Sequence, residues 1–269
     1  MSQVKLKPYL ELMLSGKQLS RSEARTILRS IASGEQDSIQ VSAFLTVLRM
    51  RPVSSEELAG FRDAMLELCH LVDLGEYDPI DPCGTGGDGK NTFNISTLVG
   101  FVLAGAGVKV AKHGNYSNAS ACGSSNILEH FGIKFRSKKE DLVADLEESN
   151  FCYLHAPLFH PAMKNVATIR KSLGIQTIFN MLGPLVNPVR PQKQFVGVFS
   201  AAVARLYAEL YRTEKMDFTI VHSLDGYDEI SLTSDFIMIN INGEKRLDPT
   251  VLGFAKVSPE SLAGGEDTA

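Results

Sequence analysis

A chain of 269 residues that is 44% hydrophobic can bury a sizeable core, as one large domain or a large and a small one. Its 27 basic and 31 acidic side chains are well mixed and sum to −4, which leaves no extended basic field and argues against nucleic acid as a main partner. The four cysteines form no CxxC pair, the first nine residues lead into no apolar h-region, and no uninterrupted run reaches about 18 apolar residues, so reduced thiols in a soluble cytoplasmic protein are expected.

From the amino terminus, "YLELMLSG", "SRSEARTILRSIASG" and "SSEELAGFRDAMLELCHLV" place apolar residues three and four apart, the spacing of helices. Ser20 with Glu23, and Ser54 with Glu57, have the separation of capping boxes. Residues 1–72 are thus predicted as a small all-helical domain, with packing, or contact with another subunit, as its use. The pattern then changes. Short β-branched runs, "VKVA" (residues 108–111), "FCYLHA" (151–156), "QFVGVFS" (194–200) and "FTIVHS" (218–223), alternate with helical stretches, the signature of an α/β domain with a mostly parallel sheet over residues 73–269. In such sheets ligands sit at the carboxyl ends of the strands.

Three polar loops fall where that rule puts a ligand. In "DPCGTGGDGKNTFNIST" (residues 81–97), glycines at 84, 86, 87 and 89 free the backbone to approach a ligand, and "NIST" opens an apolar helix whose amides suit an anion. The loop has neither the GKS/GKT ending of a Walker sequence nor the GxGxxG pattern with a distant acid, and glycine content alone also fits a plain turn. Asp88 repels a phosphate unless a cation or a sugar hydroxyl lies between them, so a metal or a sugar is implied. In "AKHGNYSNASACGSS" (residues 111–125), Lys112 is expected at the end of a strand, with Asn115, Ser117, Asn118, Ser120 and Ser124 as donors. The same serines fit a flexible turn, and His113 reads first as a structural imidazole. "SLDGYDEIS" sets Asp228 beside Glu229; adjacent acids on a loop suit Mg²⁺ with substrate phosphates, though such a pair by itself reads more readily as surface charge.

Taken in order, "GTGGDGKNTFNIST", "KHGN", "HPAMKNVATIRKSLGIQTIFNMLGPLVNP" and "DGYDEISLT" resemble the successive signatures of the anthranilate phosphoribosyltransferases, densely from about residue 78 to 234. The resemblance implies transfer of the phosphoribosyl group of 5-phosphoribosyl 1-diphosphate to the amine of anthranilate, a step of tryptophan biosynthesis, with two Mg²⁺ ions. It also implies a homodimer through the helical domain, which helices from about 161–185 would join. Carried over residue by residue, the donor would be held by Gly84, Gly87, Asp88, Thr92, Asn94, Ile95, Ser96, Thr97, Lys112, His113, Gly114, Asn115, Tyr116, Ser117, Asn118, Ala119, Ser120 and Ser124. Ser96, Asp228 and Glu229 would serve the metal; Gly84, Asn115 and Arg170 would meet anthranilate; Lys112 and Arg170 would be catalytic. Without the family, Arg170 reads as a surface arginine, although its planar guanidinium suits a carboxylate. Two positions depart from the family pattern: Tyr116 stands where arginine is usual, and Ala119 where serine is usual.

A nucleoside phosphorylase relative, or a catalytically silent nucleotide or nucleic-acid binder, stays open as an alternative. Chemistry of this type asks little covalent work of the protein: the leaving diphosphate must be neutralised and the amine positioned, and an arylamine is already neutral at pH 7. The chain ends in the polar "SPESLAGGEDTA", which reads as the approach to a helix. A C-terminal truncation is therefore expected, with covering helices beyond it and lower stability without them.

Overall fold

Serine caps start two of the first helices where the sequence spacing puts them. The Ser20 side chain accepts from the Glu23 amide and that of Ser54 from the Glu57 amide, each glutamate reaching back to its cap's N–H. The computed structural model describes residues 4–90, 92–116 and 122–262. In chain order the regular elements are α1 (Leu6–Leu14), α2 (Arg21–Ala32), α3 (Ser38–Met50), α4 (Ser55–Glu67), β1 (Ile80–Gly84), α5 (Ile95–Gly105), β2 (Val110–Gly114), α6 (Ser124–His130), α7 (Lys139–Ser149), β3 (Phe151–His155), α8 (Ala156–Phe159), α9 (Lys164–Leu173), α10 (Phe179–Leu182), β4 (Lys193–Gly197), α11 (Ala201–Thr213), β5 (Asp217–Ser223), β6 (Phe236–Asn240) and β7 (Gly243–Leu247).

The chain divides into two compact units. One comprises Met1–Leu71 with Pro157–Pro188, the other Val72–Ala156 with Val189–Ala269. In the helical unit α2 packs along α4, and Phe44 meets Phe61 edge to face at 6.2 Å. Glu57, 0% exposed, ties this core together: it accepts from the Leu19 and Ser54 amides at 2.8 and 3.0 Å and from the guanidinium of Arg51. The returning segment joins the same unit where Asn165 donates to the carbonyl of Ala32, at the end of α2.

The second unit is built on one seven-stranded sheet in the order β3-β2-β1-β4-β5-β6-β7. β1 to β5 run parallel, and β6 and β7 extend the sheet as antiparallel neighbours. Helices follow β1, β2, β3 and β4 because crossovers between parallel strands need them, and β3 is buried along all five residues, as a strand covered on both faces must be. From β1 the chain winds outward to β2 and β3, then returns past β1 to β4. Strand order reverses beside β1, and the crevice outside the carboxyl ends at such a reversal is where open α/β sheets bind ligands.

The structure adds to and corrects the sequence reading in detail. β1, "IDPCG", carries proline and glycine and has no strand propensity to read. β2 begins and ends later than "VKVA", so Lys112 lies within the strand rather than beyond it. Pro161 opens a 3₁₀ turn, and the helix bearing Arg170 starts at Lys164.

Candidate active site

The site begins where two neighbouring strands stop sharing a ladder. β1 and β2 register only at Ile80 opposite Val110, and two residues further on Pro82 has no N–H to give. Side chains take over. Asp81, 0% exposed, accepts from the His113 amide at 3.2 Å, and the Lys112 ammonium, 1% exposed, donates to the Pro82 carbonyl at 2.7 Å. Lys112 donates also to Ser96 Oγ at 3.1 Å, in the first turn of α5. The sequence expectation of a cation free at a strand end is therefore corrected: Lys112 is an interior cation that orients Ser96, with one of its three N–H donors left after these two bonds.

The glycine loop leaves β1 and turns under α5. Gly86, Gly87 and Gly89 hold positive φ of 60°, 75° and 73°, the left-handed region that glycine enters without strain. Its start is fixed to β4: the Thr85 amide donates to the Gly197 carbonyl, and Thr85 Oγ1 accepts from the Phe199 amide. Asn94 stands at the N-cap of α5 without capping it; its amide reaches the Cys122 carbonyl, and its own carbonyl takes the Thr97 and Leu98 N–H groups. The first turn of α5 runs from Ile95 through Ser96 to the buried Thr97; the Ile95 and Thr97 amides are taken by the Phe93 and Asn94 carbonyls, and the helix dipole, positive at this end, favours an anion. Thr92 lies exposed on the approach.

The acidic pair arrives from the loop after β5 and is pressed into the same place. A Cβ at Gly197 would collide with the Asp228 carbonyl, so only glycine lets this loop lie on the end of β4. Asp228 Oδ2 accepts from the Gly86 amide at 2.7 Å, and the Asp228 amide lies 3.5 Å from Asp88 Oδ2. Burial first, then the charge of Asp88, pushes the Asp228 carboxyl well above its ordinary value. Burial and the charge of Asp228 push Glu229 up to about 8, against the opposing pull of Lys112. Three carboxylates thus crowd around one loop at a cost that a divalent cation would relieve. Among the described residues no three His, Cys, Asp or Glu side chains are arranged to hold a metal by themselves. That fits Mg²⁺, which takes one or two carboxylates and completes its shell with water and substrate phosphate.

The second loop is anchored at both ends. The Asn115 carbonyl accepts from Ser124 Oγ and from the Ser125 amide, each at 3.2 Å, which draws the end of β2 onto the start of α6. Gly114 sits against Ser124 Oγ and the Tyr153 hydroxyl, where a Cβ would collide with both. Tyr116 donates to Glu129 at 2.7 Å and sets its ring edge-on to His155 at 5.0 Å, so it braces the loop against α6. Ser117, Asn118, Ala119 and Ser120 lie outside the described residues. His113 is buried, as a structural imidazole is expected to be.

Arg170 belongs to the helical unit and is not a bare surface arginine. It is partly buried, with its guanidinium 5.1 Å over the Phe179 ring, a contact that holds the planar group in one orientation. Sequence reasoning passed over Asp81, Ser125, Tyr153, His155 and the Lys90–Tyr227 cation–π contact at 4.6 Å. One signal was present: Tyr153 and His155 alternate on β3, so both belong to one face of the strand. Among the described residues no helix is long and apolar enough to cross a membrane.

Comparison with known proteins agrees with this geometry. The profile of the glycosyl transferase family a/b domain matches residues 76–269, and that of the family's helical bundle domain matches residues 7–69. The anthranilate phosphoribosyltransferase of Christiangramia forsetii is 53% identical over 260 residues, 97% of this chain and 78% of the relative; that of Flavobacterium johnsoniae is 52% identical over 97% and 79%. Among solved structures, the Thermus thermophilus enzyme superposes with a TM-score of 0.87 at 34% identity, over 95% of this chain and 78% of that one. The Saccharomyces cerevisiae enzyme in complex with PRPP and Mg does so with a TM-score of 0.87 at 32% identity, over 96% and 77%. Glycine loop, interior lysine, acidic pair and helical bundle together place this chain in the anthranilate phosphoribosyltransferase family.

Proposed function

We propose that the loops at the carboxyl edge of the sheet hold 5-phosphoribosyl 1-diphosphate, and that the family's transfer of its phosphoribosyl group to anthranilate takes place there. The observation that carries the reading is the convergence of Gly86, Asp88, Ser96, Lys112, Asp228 and Glu229 through the contacts given above. The amides of the glycine loop and the positive end of α5 receive phosphate oxygens, as does the loop from Lys112 to Ser124. Asp228, Glu229 and Ser96 would hold Mg²⁺, two ions on this reading, with Asp88 near Asp228. When bound, the metal neutralises charge on the departing diphosphate. Lys112 adds a fixed positive charge under the same oxygens and holds Ser96 in place, so little reorganisation is needed as the bond breaks. Arg170, a planar cation, is assigned to the anthranilate carboxylate, and the family pattern also gives Gly84 and Asn115 to anthranilate. The neutral arylamine then attacks without a strong base. The chain works as a cytoplasmic homodimer formed through its helical unit.

Mixing the protein with anthranilate, 5-phosphoribosyl 1-diphosphate and Mg²⁺ and following the loss of anthranilate fluorescence tests the reading. Turnover that needs all three is expected; none with either substrate omitted. Arg170→Ala separates the substrates. It is expected to lower kcat/KM for anthranilate by about 1.5–3 kcal/mol, roughly 10- to 150-fold, with the KM of the phosphoribosyl donor nearly unchanged. Arg170→Lys restores little, because an ammonium lacks the planar fork. Equal damage toward both substrates would make Arg170 structural.

A further inference from the structure

Behind the second loop lies a chain of four polar contacts that touches no assigned ligand position until its far end. His155 Nδ1 lies 2.8 Å from Ser125 Oγ, Ser125 Oγ lies 2.8 Å from the Tyr153 hydroxyl, and that hydroxyl lies 2.8 Å from Ser124 Oγ. Ser124 Oγ donates to the Asn115 carbonyl at 3.2 Å. Each contact needs one proton, and the three hydroxyls supply three. The fourth has to come from the imidazole.

The direction follows from the last acceptor. A carbonyl cannot donate, so the Ser124 proton goes to Asn115 and Ser124 accepts from Tyr153; Tyr153 then accepts from Ser125, and Ser125 accepts from His155 Nδ1–H. With the ring proton on Nε2 alone, three protons face four contacts, and one pair of oxygens in the chain meets without a hydrogen between them. Burial holds His155 below its ordinary value, against the opposing charge of Glu129, so at neutral pH there is one ring proton to place. The ring itself is clamped: Phe135 stacks on it at 4.2 Å and 22°, and Tyr116 meets it edge-on.

We propose that His155 is a positioning residue for the phosphoribosyl donor, fixing the carbonyl of Asn115 and the side chain of Ser124 through a one-way relay that requires its Nδ1–H tautomer. The inference rests on the proposed reading of Asn115 and Ser124 as part of the donor's grip. It applies to this chain's own pattern, in which Tyr116 and His155 support one another beside the loop.

Two measurements test it, and the first needs no substrate. In ¹⁵N-histidine-labelled protein at neutral pH, the His155 resonance, assigned by its loss in His155→Phe, is expected to report a protonated Nδ1. A proton on Nε2 alone overturns the relay. The second is kinetic. His155→Phe keeps the stacked ring and drops the donor; it should raise the KM for 5-phosphoribosyl 1-diphosphate by about fivefold to tenfold, the scale of one hydrogen bond, with kcat within about twofold. His155→Asn sets an amide N–H near the Nδ1 position and should recover most of the loss. Tyr153→Phe cuts the same relay at its centre, so it should reproduce the effect, and the double variant should be no worse than either single one. Equal losses in His155→Phe and His155→Asn, or additive losses in the double variant, would reduce His155 to a packing residue. An unchanged donor KM with the Nδ1 proton in place would overturn the positioning role and, with it, the reading of this loop.

Discussion

Asp228→Asn combined with Glu229→Gln is expected to lower turnover by about 10²–10³-fold, because on the proposed reading the metal that would neutralise the leaving diphosphate loses these two carboxylates. The same pair of changes should leave the fold at least as stable as before. Both acids are held above their ordinary values by burial, Asp228 also by the charge of Asp88 and Glu229 by that of Asp228, so the folded protein bears a cost that neutral amides of the same shape reduce. An asparagine oxygen can still accept from the Gly86 amide, which keeps the loop in place. Lost activity with retained or raised thermal stability is the pattern of a site whose charges serve a ligand and not the core. Steady-state turnover across a magnesium titration, with thermal unfolding of both proteins, checks this. Near-normal turnover at ordinary magnesium concentration would remove Asp228 and Glu229 from the metal site.

Glu57→Ala is expected to destabilise the helical unit by about 3–5 kcal/mol, the cost of breaking a buried ion pair by deleting one partner. Arg51, 15% exposed, would keep its charge without the carboxylate, and the Leu19 and Ser54 amides would lose their acceptor. Burial alone would raise the Glu57 carboxyl. The fork of Arg51 and the two backbone donors outweigh it and hold the group below its ordinary value of 4.5. A depressed folded pKa means stability that is complete above about pH 4.5 and is lost as pH falls through the folded value. Acid unfolding of the native protein should therefore steepen below about pH 4.5, and that component should be missing in Glu57→Ala. Chemical denaturation at pH 7 and pH 4 measures both effects; a loss under about 1 kcal/mol at pH 7 would show the pair to be solvated and weak.

Much of this was open to reading before any coordinates. Serine followed three residues later by glutamate marks a helix start through local hydrogen bonds alone, and both such starts are found at Ser20 and Ser54. β-branched runs between helical stretches read as a parallel α/β sheet because crossovers demand that alternation. The glycine loop, "KHGN" and "DGYDEIS" could be assigned to one site because each is expected at the carboxyl ends of parallel strands and because together, in order, they resemble one family's signatures.

Tertiary structure decided what no local pattern carries. β1 is a strand through its neighbours and against its own proline, because Lys112 and Asp81 supply by side chain the bonds that the ladder lacks. That placement turns Lys112 inward, an outcome invisible to spacing, since a lysine at the end of a strand reads as exposed. The rise of Asp228 and Glu229 depends on Asp88, which is 140 positions away in sequence and adjacent only after β1 and β5 are brought to one edge. The relay from His155 to Asn115 needs β2, β3 and α6 in contact, and its direction is a count of protons over four residues that the chain holds apart. Local sequence determines which bonds a segment can make with itself; the sheet order determines which charges and donors must share one volume, and the chemistry of this site belongs to the second.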